Sequence, residues 1–466
     1  MQFDTIVRNG HVVTGAGVYR ADIGITAGTI QVVGFIPETA AARRVIDAAG
    51  KYVLPGLLDV HLHFQCYSHH VDPFRVALQS AAYGGITTVL AMLIPGAQVR
   101  KRPLEVIDEF RDLGQREAVV DFGFHVHLPE LPGALDDIPA AIERGVPSFK
   151  IFMAYKSIGR MASDGHLLAA MEAIAKAGGI LLLHAEDGEV IDRLLARQVA
   201  HGRVAPGDFL PTHPPEVEYA AVQKALHMGK LTGCPLYFLH LSTPRAVDMV
   251  MEARAQGQVA FAETCPQYLE LTNDLLYTFG PLAKVSPPLR TPVETEGLWE
   301  RLLAGRIDTI GSDHSSHTAE TKRGGYKNIF DCWYGAPAAE TMAPVMADAL
   351  IRRGSDLSKL VRHMAENPAR VFGLYPKKGA IRPGSDADLV VWDPDKSVTI
   401  RAEMQHCNAG YTLYEGRTVK GWPVLTLVRG QVVLENGELK VSPGFGRFLA
   451  RPPVDASIKA VAAALP

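Results

Sequence analysis

From about residue 52 to residue 314 the chain repeats one unit, a short apolar run that stops at a polar residue, followed by a stretch with helical spacing. The runs are "YVLPGLLDVHLH", "GITTVLAML", "VVDFGFHVHL", "SFKIFMAY", "GILLLHAED", "PLYFLHLS", "VAFAETCPQYL" and "IDTIGSDH". Between most of them lie segments such as "DGHLLAAMEAIAKAGG", "EVEYAAVQKALHMGKLTG" and "STPRAVDMVMEARAQGQ", with apolar residues three and four apart. Strands apolar on both faces and separated by helices read as a parallel sheet covered by helices. Eight of them within a region of roughly 320 residues predict a (β/α)8 barrel with insertions. The rival, a doubly wound open sheet, requires a glycine fingerprint after its first strand, and "HLHFQCYSHH" has none.

The ends of the chain have a different texture. "FDTIVRNGHVV", "ADIGITAGTIQVVG" and "RRVIDAAGKYV" read as short strands joined by turns, with Asn-Gly as a hairpin signal. The same texture returns in "KKGAIRPGSDADLVVWDP" and "VLTLVRGQVVLENGELK". This predicts a small β-sandwich built from both termini, with residues 1–53 and 376–440 flanking a barrel at 54–375 and a tail at 441–466.

Composition excludes several partners. Lys and Arg number 47 against 50 Asp and Glu, so no large basic field is available for nucleic acid or anionic lipid. No run of about 18 apolar residues is present to span a membrane. Cys66, Cys234, Cys265, Cys332 and Cys407 are widely spaced, with no C-x-x-C pair, which points to a reducing compartment. The N-terminus lacks the basic and long apolar regions of an export signal, and a cytoplasmic location is expected.

Functional side chains of a barrel sit where its strands end. Those positions hold His61 and His63 on the first strand, Lys150 on the fourth, His184 on the fifth, His240 on the sixth and Asp313 on the eighth. Taken singly, each histidine reads as a satisfied core residue; together they converge on one rim. Four imidazoles and a carboxylate form a nitrogen/oxygen set suited to zinc, with manganese, iron or cobalt also possible. The lysine is out of place beside a cation.

The order H-x-H, Lys, His, His, Asp on eight strands resembles the amidohydrolase superfamily. "PGLLDVHLHF", "SFKIFMAYK", "LLLHAED", "FLHLS", "ETCPQYL", "KVSPPLR" and "IGSDHSSH" resemble its cyclic-amide hydrolases, and the tail "PGFGRF" is most similar to bacterial hydantoinases. The resemblance implies two divalent metals, His61, His63, Lys150 and Asp313 on one and Lys150, His184 and His240 on the other. Lys150 would be carboxylated by carbon dioxide and a hydroxide would bridge the metals. It further implies Asp313 as proton carrier, Tyr155 as the hydroxyl facing the developing oxyanion, and substrate contacts near Ser286 and Tyr334. At the last place hydantoinases usually have an asparagine.

The activity expected is opening of a hydantoin, dihydropyrimidine or related cyclic ureide or imide. Allantoinase or dihydroorotase activity is the alternative, and a non-enzymatic dihydropyrimidinase-related binding protein would lack ligands that are all present here. A mononuclear deaminase has no use for the lysine. "GSDHSS" lacks the G-x-S-x-G elbow of a serine hydrolase. His69 and His70 read as surface-loop residues, and His125 and His127 receive no role. The rim residues Phe64, Tyr67, Leu93, Ile94, Phe152 and Trp333 favour a substrate with an apolar substituent over one with a carboxylate. In the tail, Phe445, Phe448 and Leu449 are expected to stand exposed on a monomer, which with the resemblance predicts a homo-oligomer, a tetramer.

Overall fold

The computed structural model describes residues 2–465 except 67, 69, 97, 98, 100, 455 and 456, so Tyr67 and His69 lie outside the described residues. Eight parallel strands follow one another in chain order: Leu57–Leu62, Ile86–Leu93, Asp121–His127, Ser148–Phe152, Ile180–His184, Leu236–Phe238, Ala260–Thr264 and Thr309–Ile310. Every position in them is buried, as expected of strands packed against helices outside and against each other inside. The intervening helices begin and end where local chemistry dictates. Asp164–Ala177 starts at Ser163, whose hydroxyl accepts the His166 N–H, and stops at Gly178 in the left-handed conformation. Pro292–Leu303 opens with a reciprocal Thr291/Glu294 capping box.

The eighth strand is only two residues long, so the barrel closes by other means. Leu62 and His314 form a parallel bridge, with the His63 N–H donating to the His314 carbonyl at 2.9 Å. Asp59 on the first strand accepts from the Ser312 N–H at 3.1 Å and from its hydroxyl at 2.6 Å. Side chains thus complete the seam that a longer ladder would otherwise make.

Both ends of the chain enter one nine-stranded, mainly antiparallel sheet. Tyr52–Pro55 joins its halves, pairing in parallel with Gln2–Thr14 and antiparallel with Leu389–Thr399. The N-terminal hairpin Gly17–Thr26/Thr29–Gly34 and the C-terminal strands Thr418–Val428 and Gln431–Glu435 extend it on either side. Ile23, Ile25 and Ile30 share a core with Leu389, Val391, Leu425 and Leu427, so the sheet folds over on itself as a small separate layer.

The tail departs from expectation. Its backbone pairs with the start of the third barrel strand: the Phe122 N–H donates to the Arg447 carbonyl at 3.0 Å, and the Leu449 N–H to the Phe122 carbonyl at 2.7 Å. Leu449 is buried, while Phe445 and Phe448 are half-buried, Phe448 packing 5.8 and 5.6 Å from the rings of Phe122 and Phe124. The apolar tail is covered by its own barrel because its main chain adds a rung at the barrel floor. Among the described residues, no helix is long and apolar enough to cross a membrane.

Candidate metal centre and substrate pocket

Side chains two apart on a strand share a face, so His61 and His63 leave the first strand toward one point. Asp313 follows the eighth strand, and its Oδ1 lies 3.2 Å from Nε2 of each. The ligand atoms of the three residues all fall within 4.8 Å of one another. His61 Nδ1 is 2.7 Å from Glu263 Oε1, which makes Nδ1 the donor and leaves Nε2 a bare acceptor. Among the described residues, that buried Nε2 has no hydrogen-bond partner.

Facing this group, His184 Nδ1 and His240 Nε2 are 3.0 Å apart, and His184 Nε2 is 2.9 Å from Glu186 Oε2. Among the described residues, buried His240 Nδ1 also has no hydrogen-bond partner. Burial holds the imidazoles of His184 and His240 below the ordinary histidine range and that of His63 at about 4, so they are neutral, as ligands must be. Buried Lys150, on the fourth strand, stands with Nζ 4.7 Å over the Phe152 ring. Burial pulls its ammonium down to about 7, against the attraction of Asp313 and Glu263. Its charge is felt at His63, Asp313, His184 and His240. Burial alone would push the Asp313 carboxyl up, but His61, His63 and Lys150 hold it below the usual carboxylate range. Neutral imidazoles with orphaned nitrogens around an ionised carboxylate fit divalent cations.

The backbone is bent to bring these groups in. Tyr155 (φ 67°), His240 (φ 39°) and Asp313 (φ 48°) all adopt left-handed conformations, uncommon outside glycine. At Gly311 a Cβ would come within 2.8 Å of His61 Cβ and 2.9 Å of the Glu263 carboxylate, so only glycine lets the eighth strand pass. His314 braces the turn after Asp313: Nδ1 accepts the N–H groups of Ala338 and Ala339, and Nε2 is 3.2 Å from Asp72.

Beside this centre Tyr155 packs its ring 4.8 Å from His184, 5.6 Å from Phe152 and 5.4 Å from Tyr334. Burial raises its hydroxyl well above the usual range, with a hydrogen bond to Ser286 opposing, so it stays a proton donor. The Ser286 hydroxyl donates to Glu186 Oε2 at 2.7 Å. Burial would push the Glu186 carboxyl up, yet His213, His184 and Arg290 bring it to about 2. Glu186 therefore ties His184 to Ser286.

Of the rim residues named from sequence, Phe152 lies at the site, and half-exposed Trp333 stacks on His317 at 5.0 Å with His70 at 6.2 Å. Phe64 does not line the mouth; it is buried between Phe74 and Phe110, 4.9 and 5.2 Å away, and Leu93 and Ile94 also belong to the core. Apolar residues just past a strand end here turn under the helices. His125 is satisfied inside the barrel by Ser148 Oγ (2.6 Å) and the Val60 carbonyl (3.1 Å), and buried His127 lies 5.5 Å from the Phe152 ring. Sequence reasoning missed Glu186, Glu263 and Asp59. Their signal was a carboxylate embedded in an otherwise apolar strand end, in "LLHAED", "VAFAETC" and "GLLDVH".

The profile of the amidohydrolase family matches residues 52–433. An L-hydantoinase of Paenarthrobacter aurescens is 36% identical over 98% of this chain and 100% of its own length. A D-hydantoinase of Rhizobium radiobacter is 35% identical over 96% of this chain and 99% of its own. Among solved structures, a dihydropyrimidinase from Brevibacillus agri superposes with a TM-score of 0.92 at 32% identity, covering 97% of this chain and 99% of that one.

Proposed function

This chain belongs to the amidohydrolase family, within its cyclic-amidase group, and on that premise we propose that it opens the ring of a hydantoin, dihydropyrimidine or related cyclic ureide at a binuclear metal centre. The family uses divalent metal, and zinc is the ion we assign, with manganese, cobalt or iron as substitutes. His61, His63 and Asp313 would hold one ion and His184 and His240 the other, with Lys150 shared. The observation that carries this reading is the convergence of His61 Nε2, His63 Nε2 and Asp313 Oδ1, facing the His184/His240 pair, with the charge of buried Lys150 felt by both groups.

Lys150 cannot join two cations as an ammonium. Its neutral amine, which burial favours, attacks the carbon of carbon dioxide; a C–N bond forms, a proton leaves, and the resulting carbamate is an anionic ligand. When bound, the metals supply Lewis acidity and hydroxide at neutral pH. The chain's own residues supply the rest. Tyr155 donates its hydroxyl to the substrate oxygen as negative charge collects there. Asp313, ionised, takes the proton of the attacking hydroxide and passes it to the ring nitrogen as the C–N bond breaks, so that one water is added across the amide. Main-chain groups near Ser286 and Tyr334 hold the amide edges of the ring.

In this reading residues 54–375 form the catalytic domain, 1–53 and 376–440 the sheet domain and 441–466 the tail, in a cytoplasmic homotetramer. The test is a ring-opening panel of hydantoin, 5-benzylhydantoin, dihydrouracil, allantoin and dihydroorotate, run with zinc or manganese and after chelation. Activity on hydantoins or dihydrouracil that chelation abolishes and metal restores is expected, with the 5-benzyl compound favoured over dihydroorotate. Dihydroorotate or allantoin as best substrate replaces the substrate assignment, and chelator-insensitive activity rejects the metal centre.

A further inference from the structure

Two lysines outside the metal centre are buried without an acidic partner. Lys284 and Lys322 are both fully buried, and among the described residues neither forms an ion pair with a carboxylate. Isolated ammonium groups are expensive to bury, and burial pulls them down to about 8 and about 7. Their hydrogen bonds run to two stretches of main chain. Lys322 Nζ donates to the carbonyls of Leu282 at 3.1 Å, Lys284 at 3.0 Å and Gly335 at 2.5 Å. Lys284 Nζ donates to the carbonyls of Ile329 at 2.7 Å and Cys332 at 2.6 Å, and stands 4.0 Å over the centre of the Tyr334 ring. An ammonium has three N–H groups, and in each lysine all three have an acceptor, counting the ring face as one.

The two stretches adjoin the residues assigned above to the substrate. One runs into Ser286, and the other carries Tyr334, whose ring also meets Tyr155 at 5.4 Å and Phe209 at 5.9 Å. They meet directly where the Gly335 N–H donates to the Lys284 carbonyl at 3.0 Å, and Lys322 clasps both sides of that junction. A compact ammonium suits this junction, because a planar guanidinium could not gather three carbonyls around one atom.

We propose that Lys284 and Lys322 are positioning residues that lock the Ser286 and Tyr334 segments into the register that grips the substrate ring. The inference rests on the reading that these segments hold substrate. If it is right, Lys284→Met and Lys322→Met each raise KM about tenfold or more while kcat stays within about threefold and bound metal is unchanged, the pattern of lost uniform binding. Lys284 acts through Tyr334, so the effects of Lys284→Met and Tyr334→Ala on KM multiply to less than their product when combined. Lys284→Gln, which keeps a donor, falls between the wild type and Lys284→Met and serves where the methionine variant does not fold. Hydrogen exchange supplies a readout independent of turnover: amides of residues 329–335 exchange faster in the lysine variants while those of the barrel strands do not. Unchanged KM, a joint fall of kcat and metal content, fully multiplicative effects, or unchanged exchange at 329–335 overturns the proposal. A wild-type enzyme that opens none of the rings rejects the functional reading instead, and the exchange experiment still decides whether the lysines hold the two segments.

Discussion

Lys150 is the side chain whose role departs most from its ordinary chemistry. Lys150→Ala removes the anion proposed to lie between two cations, so metal content by elemental analysis and turnover are expected to fall together. Short carboxylic acids restore part of both by returning an anion. Full metal content with wild-type kcat in that variant eliminates the bridging role. Tyr155→Phe deletes one donor at the developing oxyanion and is expected to lower kcat roughly 10²- to 10³-fold, the usual effect of such a loss; an unchanged kcat assigns the residue to packing. Lys150 stood out in the sequence because it interrupts an apolar run, and Tyr155 through the resemblance of "KIFMAY" to the cyclic-amide hydrolases. Glu263 and Glu186 did not, since a carboxylate inside or just past a strand reads equally well as a surface position until its partner is known. Here the partners are His61 and Tyr237 for Glu263, and neighbouring His184 and distant Ser286 for Glu186, and all but His184 come from strands and loops elsewhere in the chain.

At the scale of elements, seven of the barrel strands announce themselves by buried apolar runs, whereas the eighth contributes only Thr309–Ile310 to the ladder. Periodicity could place the strand but could not reveal that Asp59, Ser312 and His314 close the seam. The tail was misjudged for a related reason: nothing in "PGFGRFLARPP" marks its main chain as the partner of Phe122. The helix Pro215–Thr232 gives a pH-dependent prediction. Its buried Glu218 accepts from the Ser242 N–H at 2.8 Å and the Ser242 hydroxyl at 3.0 Å. Burial pushes this carboxyl up to about 7, with Arg290 opposing. The folded state thus holds the proton more tightly than the unfolded chain does. The stability it contributes is complete below the ordinary glutamate value of about 4.3 and is lost as the pH rises through about 7. Urea unfolding at pH 5 and pH 8 checks this: the wild type is expected to lose stability between them, and Glu218→Gln to lose less. A variant with the same slope places the pH dependence elsewhere.

In the whole molecule the tail is part of the barrel's floor. Arg451 reaches inward to the Phe124 carbonyl and to Ser148 Oγ, the latter at 2.7 Å, while Phe448 and Leu449 cover the third strand. Deleting residues 441–466 is expected to destabilise the fold by about 5 kcal/mol or more, roughly the cost of removing buried Leu449 together with the half-buried Phe445 and Phe448. Thermal unfolding measures the loss, and light scattering on the same sample reads the oligomeric state. A truncated protein that melts with the wild type would show that these contacts contribute little. The sheet made from both ends has a consequence in time. Tyr52–Pro55 leaves the ribosome early, but its antiparallel partner, Leu389–Thr399, follows about 330 residues later. At roughly 5–20 residues per second, that edge waits on the order of 20–60 s for its neighbour. Until then the N-terminal strands present an open edge, the kind of template on which two newborn chains can pair.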